Sequence, residues 1–201
     1  MIKKLKTIKY AVAAGLGLLA GCLAGCMSGS SDTLMSVAEF SHHGAVDTSA
    51  RYSYSVKGEN EKSQAEVLAG KSSKRKNLKS KLYFDAKTDL EGKVWAGARG
   101  GVSLKHGKNN FGLELRHFSG LNDSSPSHFY CIPSISRDLT GRLSIGVWDY
   151  VKQDYETGNG FAYLGPFLVY SPSKNAKVLV HYGENTAGEG ALLYIKMNFR
   201  F

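Results

Sequence analysis

The chain has 201 residues, of which 42% are hydrophobic, and it carries a formal net charge of +9. This length suits one domain of ordinary size. Four of the positive charges are Lys3, Lys4, Lys6 and Lys9, at the start of an apparent export signal. The rest of the chain is therefore only moderately basic. An exported protein of this kind is not expected to bind nucleic acid.

The first 26 residues have the features of a secretory signal peptide. The lysines precede an apolar run, residues 10–20, that is too short to predict a membrane-spanning helix. The run ends in Leu-Ala-Gly-Cys22, and a second Leu-Ala-Gly-Cys26 follows at once. Both resemble the lipobox of bacterial lipoproteins, which implies that Cys22 or Cys26 is the lipid-modified first residue of the mature chain. The alternative is a signal cut elsewhere, with two small apolar cysteines inside it.

Residues 27–79 are rich in Ser, Lys and Gly and have weak periodicity. We interpret them as an extended periplasmic linker. Residues 51–57 do alternate, so a strand here, or a hairpin with residues 34–41, is the alternative. The region ends in a basic cluster, Lys71, Lys74, Arg75, Lys76, Lys79 and Lys81. This cluster is interpreted as a solvated face, with binding to anionic lipid headgroups as the alternative.

Residues 80–201 consist of short segments with the period-two pattern of β-strands. Eight such segments are predicted: 81–87, 93–105, 110–119, 128–137, 142–152, 161–171, 176–183 and 191–201. An apolar face and a polar face on each strand predict an all-β fold, a transmembrane antiparallel β-barrel of about eight strands, with ten as the alternative. The sequence thus predicts three parts: signal peptide 1–26, linker 27–79 and barrel 80–201.

The final segment, residues 191–201, alternates without a break and ends on the aromatic Phe201. It resembles the C-terminal strand of outer-membrane β-barrels, which the membrane's assembly machinery recognises. The resemblance implies a location in the bacterial outer membrane. A lipoprotein with a soluble β-sandwich is the alternative.

The connections predict the direction of each strand. Residues 106–109, 138–141 and 172–175 are tight turns, whereas 120–127, 153–160 and 184–190 are longer and polar. Short turns face the periplasm in such barrels and longer loops face outward. The lumen of about eight strands has room only for side chains, so a pore is not expected. We expect an ion-paired lining of Arg99, Glu114, Arg116, Arg142, Lys152, Lys196 and Arg200.

Residues 111–119 carry the strongest candidate for chemistry. One face of this strand bears Phe111, Leu113, Leu115, His117 and Ser119. If the apolar face contacts lipid, an imidazole and a hydroxyl project from the outer wall near the outer leaflet. A histidine can take the proton of a nearby serine and so make it a nucleophile. The nearest electrophile there is an acyl ester of a phospholipid or of lipopolysaccharide.

This His-x-Ser pair resembles that of outer-membrane phospholipase A, and also that of the lipid A deacylase barrels. The resemblance implies His117 as base, Ser119 as nucleophile and calcium as cofactor. Gly120 and Leu121 stand where the phospholipase family has Asn-Gly, and lipid A deacylases carry the pair near the C-terminus, followed by Asn. No Asn occupies the position of the third catalytic member. By counting in register, Cys131 is the closest outward-facing position.

The same resemblance prompts two further assignments. The backbone N–H of Gly120 is a candidate oxyanion donor. Asn122, Asp123, Ser124 and Ser125 are candidate calcium ligands, or else simple turn formers. The main hypothesis is therefore a serine acyl-ester hydrolase of the outer membrane. Its rival is a non-catalytic barrel with a structural or surface-interaction role, and the oligomeric state stays open between monomer and homodimer.

Overall fold

A computed structural model describes residues 32–57 and 60–201. The signal peptide and both candidate lipidation sites, Cys22 and Cys26, lie outside these residues. The described residues form eleven strands: β1 Thr33–His42, β2 Asp47–Lys57, β3 Asn60–Arg75, β4 Leu78–Asp89, β5 Val94–His106, β6 Asn109–Gly120, β7 His128–Asp138, β8 Leu143–Asp154, β9 Gly160–Ser173, β10 Ala176–Asn185 and β11 Ala191–Arg200. No helix in the described part of the chain is long and apolar enough to cross a membrane.

The strands close into a single barrel in which each strand pairs with its neighbour in sequence. These sequential pairs are antiparallel, but the closing pair, β1 with β11, is parallel. Its register runs from Thr33 opposite Leu192 to Ser41 opposite Arg200. The predicted all-β barrel is confirmed. The prediction of eight or ten strands is corrected to eleven. With an odd number of sequentially antiparallel strands, the first and last strands run in the same direction, and the closing pair is therefore parallel.

The three additional strands come from the predicted linker, so the boundary at residue 80 is wrong. β1 and β2 form the hairpin that was the alternative, with Leu34 opposite Val56. The sequence does not predict β3 because its outward face is hardly more apolar than its inward face. The outward face reads Glu61, Ser63, Ala65, Val67, Ala69, Lys71, Ser73 and Arg75. Small and polar residues on both faces of a strand weaken the period-two signal.

The outer wall is apolar over most of β4 to β9. Large hydrophobic side chains project from it, including Phe84 at 70% exposure, and also Leu82, Val102, Leu113, Leu115, Ile135, Ile145 and Leu168. A continuous exposed apolar surface of this extent is unusual on a soluble monomer. The strands therefore present to their surroundings the kind of face that a barrel presents to lipid.

The two ends of the barrel differ in their connections. One end, the short-turn end, carries residues 43–46, 76–77, 107–108, 139–142 and 174–175, together with Phe201. The other, the loop end, carries residues 90–93, 121–127, 155–159 and 186–190. β6 runs from the short-turn end to the loop end, so His117 and Ser119 lie near the loop end.

The interior is filled from the loop end to about its middle. An aromatic cluster packs there, formed around Val37, Ile132, Tyr150, Tyr163, Leu192 and Tyr194. Trp148 packs against this cluster, with its ring centroid 5.5 Å from that of Tyr194. Nearer the loop end, Lys87 lies over the Phe118 ring at 4.1 Å and contacts His128 Nε2 at 2.7 Å. In the described part of the chain, the larger open volume lies in the half toward the short-turn end, and a small cavity of about 40 Å³ lies beside Lys87 and Phe118.

Candidate functional site

His117 and Ser119 are exposed on the outer wall of β6. His117 Nε2 lies 3.2 Å from Ser119 Oγ, which is hydrogen-bonding distance. The alternation of β6 positions them in this way, because Glu114, Arg116 and Phe118 point into the lumen. Ala98 and Ala96 of β5 stand opposite His117 and Ser119. The pair is therefore open to the surroundings on that side.

The structure does not bring Cys131 to the pair. Cys131 faces outward on β7, but it lies opposite Leu115, and Phe129 is the residue opposite His117. The predicted pairing of β6 with β7 is therefore wrong by two residues. The pairing depends on how many residues the connection 121–127 contains, and the strand pattern alone does not fix that number. The residue that does contact His117 is Tyr155, with ring centroids 5.7 Å apart. Tyr155 lies in the connection after β8, and nothing in its local sequence pointed to this contact.

The predicted oxyanion donor takes part in a hydrogen bond within the β6–β7 connection. The Gly120 N–H donates to Ser127 Oγ at 3.2 Å, so the candidate oxyanion donor already has an acceptor. Among the described residues, no carboxylate forms an ion pair or hydrogen bond with His117. The arrangement is a base and a hydroxyl in contact, without a third group that fixes the imidazole.

The candidate calcium ligands do not fit a calcium site. Asn122 Oδ1 accepts hydrogen bonds from the hydroxyls of Ser124 and Ser125, and its Nδ2 donates to Gly92 O at 2.9 Å. Ser125 Oγ in turn accepts from Val94 N at 2.9 Å. Asp123 is the one carboxylate in the set, whereas calcium takes six to eight oxygens. Within the described ranges, no group of three or more His, Cys, Asp or Glu is placed to hold a metal ion.

The second candidate site lies inside the barrel and begins with a layer of buried ion pairs. Glu66 is its centre: Oε2 accepts from Arg51 Nη1 at 2.8 Å and Oε1 accepts from Arg99 Nη2 at 2.6 Å. Arg99 Nη2 also lies 3.0 Å from Asp85 Oδ2. Mutual pairing of this kind is what allows several charges to be buried together.

The layer continues around the barrel through two further carboxylates. Glu39 pairs with Arg51 and with Lys196 at 2.6 Å each. Glu114 pairs with Arg116 and with Lys81. The predicted ion-paired lining is thus present for Arg99, Glu114, Arg116 and Lys196. Lys152 is also ion-paired on the inward face, with Asp154 at 2.6 Å nearer the loop end. Arg142 lies in an exposed turn, and Arg200 has no ion pair among the described residues. The carboxylates Glu39 and Glu66 were missed because their strands were interpreted as a linker.

A cavity of about 660 Å³ opens from this layer toward the short-turn end. We call it the vestibule. Its inner lining includes Trp148, Tyr150 and Tyr194. An eleven-stranded barrel is wider than an eight-stranded one, which explains why this lumen is not completely filled by side chains.

Positive charge dominates the lining of the vestibule. Its cations are Arg51, Lys79, Lys81, Arg99, Arg116, Lys174, Lys177, Lys196 and Arg200, and its carboxylates are Glu39, Asp47 and Glu114. Asp47 is already engaged, since its Oδ2 accepts from Ser72 N and Oγ at 2.9 and 2.7 Å. The lining therefore has a surplus of cations.

Four of these cations, the mouth cations, lie nearest the opening: Lys79, Lys174, Lys177 and Arg200. None of them forms an ion pair in the described part of the chain. Lys79 is on β4, while Lys177 and Arg200 are on β10 and β11, across the lumen. Unpaired like charges that converge on one opening create a positive potential, which attracts anions.

Comparison with known proteins identifies the fold of this barrel. No protein-family model matches the chain, and no curated protein matches it. Among solved structures, the chain is similar to the "KdgM porin in complex with disordered oligogalacturonate", with a TM-score of 0.56 and 16% sequence identity. The similarity covers 74% of this chain and 82% of the porin chain. The structural neighbour is a porin, not a phospholipase or a deacylase, and the chain therefore has a porin-like β-barrel fold.

Proposed function

We propose that this protein is a non-catalytic β-barrel of the outer membrane whose vestibule binds anionic solutes. The observation that carries the proposal is the set of mouth cations: Lys79 lies across the opening from the other three, and none of the four has a carboxylate partner among the residues that the structure describes. An anion in the mouth relieves their mutual repulsion, and a solute with several carboxylates contacts more than one of them at once.

The structural neighbour supports the same class of ligand. That porin is in complex with oligogalacturonate, a chain of sugar acids with one carboxylate per unit. Location in the outer membrane is supported by the apolar outer wall and by the alternation of β11 up to Phe201. We expect the assembly machinery of the outer membrane to recognise this C-terminal strand. Because the aromatic cluster fills the lumen beyond the vestibule, the solute is held at one end.

Binding of trigalacturonate to the refolded barrel in zwitterionic detergent tests this proposal. The triple variant Lys79→Gln, Lys177→Gln and Arg200→Gln, the mouth variant, is expected to bind between tenfold and roughly a hundredfold more weakly, since each exposed ion pair contributes up to about 1 kcal/mol. Isothermal titration calorimetry at low salt measures the affinity. Uncharged maltotriose, a chain of equal length, is expected not to bind.

A matched control removes the same number of positive charges from the loop end. In the loop-end variant, Lys57→Gln, Lys62→Gln and Lys93→Gln, the affinity for trigalacturonate is expected to stay within about twofold of wild type, because charges at this distance are screened. Equal binding of maltotriose, or an unchanged affinity in the mouth variant, contradicts the proposal.

Hydrolysis of membrane lipids is a second candidate, which the 3.2 Å contact between His117 and Ser119 favours. In that reaction His117 Nε2 takes the proton of Ser119 Oγ while this oxygen attacks an acyl ester carbonyl. The lipid alkoxide leaves with the proton from His117, and water then releases the fatty acid from Ser119. The pair faces the apolar surroundings, where such esters lie. The engaged Gly120 N–H and the lack of an ionic partner for His117 in the described residues weigh against efficient turnover.

Release of fatty acid from defined phospholipid vesicles distinguishes the two candidates. If the outer wall is catalytic, Ser119→Ala is expected to reduce release by a factor on the order of 10³ or more, since removing the nucleophile of a complete triad costs about 2 × 10⁶ in kcat and a pair without a third group starts from a lower rate. Ser80→Ala, which removes an outward-facing hydroxyl on β4, serves as the control and keeps full activity. Assays with and without calcium test the cofactor implied by the resemblance. Release by wild type that does not exceed that of Ser119→Ala excludes this candidate and leaves the first intact.

A further inference from the structure

We infer that the outer rim of the short-turn end binds the headgroups of anionic phospholipids. The rim carries an arc of exposed cations, the cationic collar: Lys71, Arg75, Lys76, Lys108, Arg137 and Arg142. The arc follows β3, β7 and the turns after β3, β5 and β7. None of the collar residues forms an ion pair among the residues that the structure describes. Lys71 Nζ has a backbone partner, Ala45 O, at 2.5 Å.

The collar is distinct from the mouth cations because it faces away from the lumen. On β3, Ser72 is paired with Lys81, which lines the vestibule, so Lys71 and the other odd-numbered positions point outward. On β7, Ile135 and Arg137 likewise alternate with Ser134, another residue of the vestibule lining. A solute in the vestibule therefore does not contact Arg75 or Arg137.

The collar directly borders the apolar outer wall. Leu78, Leu104, Phe111, Ile135 and Ile145 are exposed apolar side chains near this end of β4 to β8, and each is 44% exposed or more. In a phospholipid the phosphate lies directly beyond the hydrocarbon chains along the membrane normal, just as the collar lies directly beyond the apolar wall. Cations just beyond an apolar band lie at the headgroup level, where each contributes to attraction for anionic lipid. This match favours a lipid over a soluble polyanion as the occupant.

The loop end has a net negative charge, because its exposed carboxylates outnumber Lys57, Lys62 and Lys93. Its exposed side chains include Glu61, Glu91, Asp123, Glu156, Glu184 and Glu189. Carboxylates repel anionic headgroups, so the two rims of the barrel select different surroundings. The inference rests on location in the outer membrane, which is part of the proposed function, but it does not depend on solute binding in the vestibule.

Electron paramagnetic resonance of spin-labelled lipids tests the inference with the barrel reconstituted in phosphatidylcholine vesicles. Wild type is expected to immobilise spin-labelled phosphatidylglycerol at least about twofold more strongly than spin-labelled phosphatidylcholine, given roughly 1 kcal/mol per cation at a headgroup surface. This preference is expected to disappear in the collar variant, Arg75→Gln, Lys108→Gln and Arg137→Gln. High salt is also expected to reduce it, since the charges are exposed.

The mouth and loop-end variants are the matched controls, since each removes the same number of cations. Both are expected to keep the preference for phosphatidylglycerol. Equal immobilisation of phosphatidylglycerol and phosphatidylcholine by wild type overturns the inference. An undiminished preference for phosphatidylglycerol in the collar variant also overturns it. So does a preference for spin-labelled lipopolysaccharide with none for phosphatidylglycerol. Heat-modifiable migration on gels verifies that every variant is folded. Failure of solute binding leaves these outcomes unaffected, so the two proposals are judged separately.

Discussion

Replacing Glu66 by alanine is expected to lower the free energy of unfolding by about 3–5 kcal/mol, the usual cost of leaving buried charges without their partner. Glu66 pairs with both Arg51 and Arg99, and all three side chains are at most 10% exposed. In the alanine variant Arg51 keeps its pair with Glu39, and Arg99 keeps its pair with Asp85. Each guanidinium nevertheless loses the carboxylate of Glu66 as a partner. Urea unfolding in lipid vesicles measures the change.

The exposed pair of Lys105 and Asp138 provides the comparison. Its atoms are 2.7 Å apart, but the Lys105 side chain is 54% exposed. Asp138→Asn is therefore expected to cost less than about 1 kcal/mol. A loss below about 1 kcal/mol for Glu66→Ala as well contradicts the view that the ionic layer stabilises the barrel.

Removal of the aromatic floor of the vestibule is expected to convert the blind cavity into a channel. Trp148 packs against His181 and Phe167, with ring centroids 4.8 and 5.4 Å apart. Because Trp148 is only partly buried, Trp148→Ala alone is expected to destabilise the barrel by less than about 3–5 kcal/mol, the typical cost of truncating a fully buried aromatic side chain. Tyr150→Ala and Phe118→Ala, added to it, complete a triple variant that joins the vestibule to the small cavity beside Lys87 and extends it toward the loop end.

Conductance across planar lipid bilayers measures this change. Wild type is expected to give no steady conductance steps, because the aromatic cluster fills the lumen between the vestibule and the loop end. The triple variant is expected to give discrete steps. Phe84→Ala, which truncates an exposed aromatic of the outer wall, is the control and stays closed. Steps of equal size in wild type and in the triple variant contradict a closed lumen.

The parts of the fold that the sequence predicts are those with strong contrast between the two faces of a strand. β11 and β6 alternate apolar and charged residues, so their faces and the outward position of His117 and Ser119 follow from a period of two. β1 and β3 lack this contrast, and they were therefore interpreted as a linker. The parallel β1–β11 closure joins distant segments, and no local pattern specifies it.

The vestibule illustrates a second limit. Lys79, Lys177 and Arg200 each appear in the sequence as an ordinary basic residue near a turn. Their convergence depends on how many strands separate β4 from β11 around the closed barrel, and β1, β2 and β3, the three strands interpreted as a linker, lie there. Cys131 was misplaced for a related reason, because the register across a seven-residue connection is set by hydrogen bonds of that connection, such as that from Asn122 to Gly92.

The parallel seam also restricts how this chain can be engineered. Thr33 and Phe201 lie at opposite ends of the barrel, separated by the length of a ten-residue strand, about 33 Å. A short peptide cannot join them, as it can in a barrel whose terminal strands form an antiparallel pair. A circular permutant therefore needs a linker of at least about ten extended residues, threaded through the filled lumen or laid along the apolar wall. Epitopes fused before Thr33 and after Phe201 are expected to lie at opposite ends of the barrel.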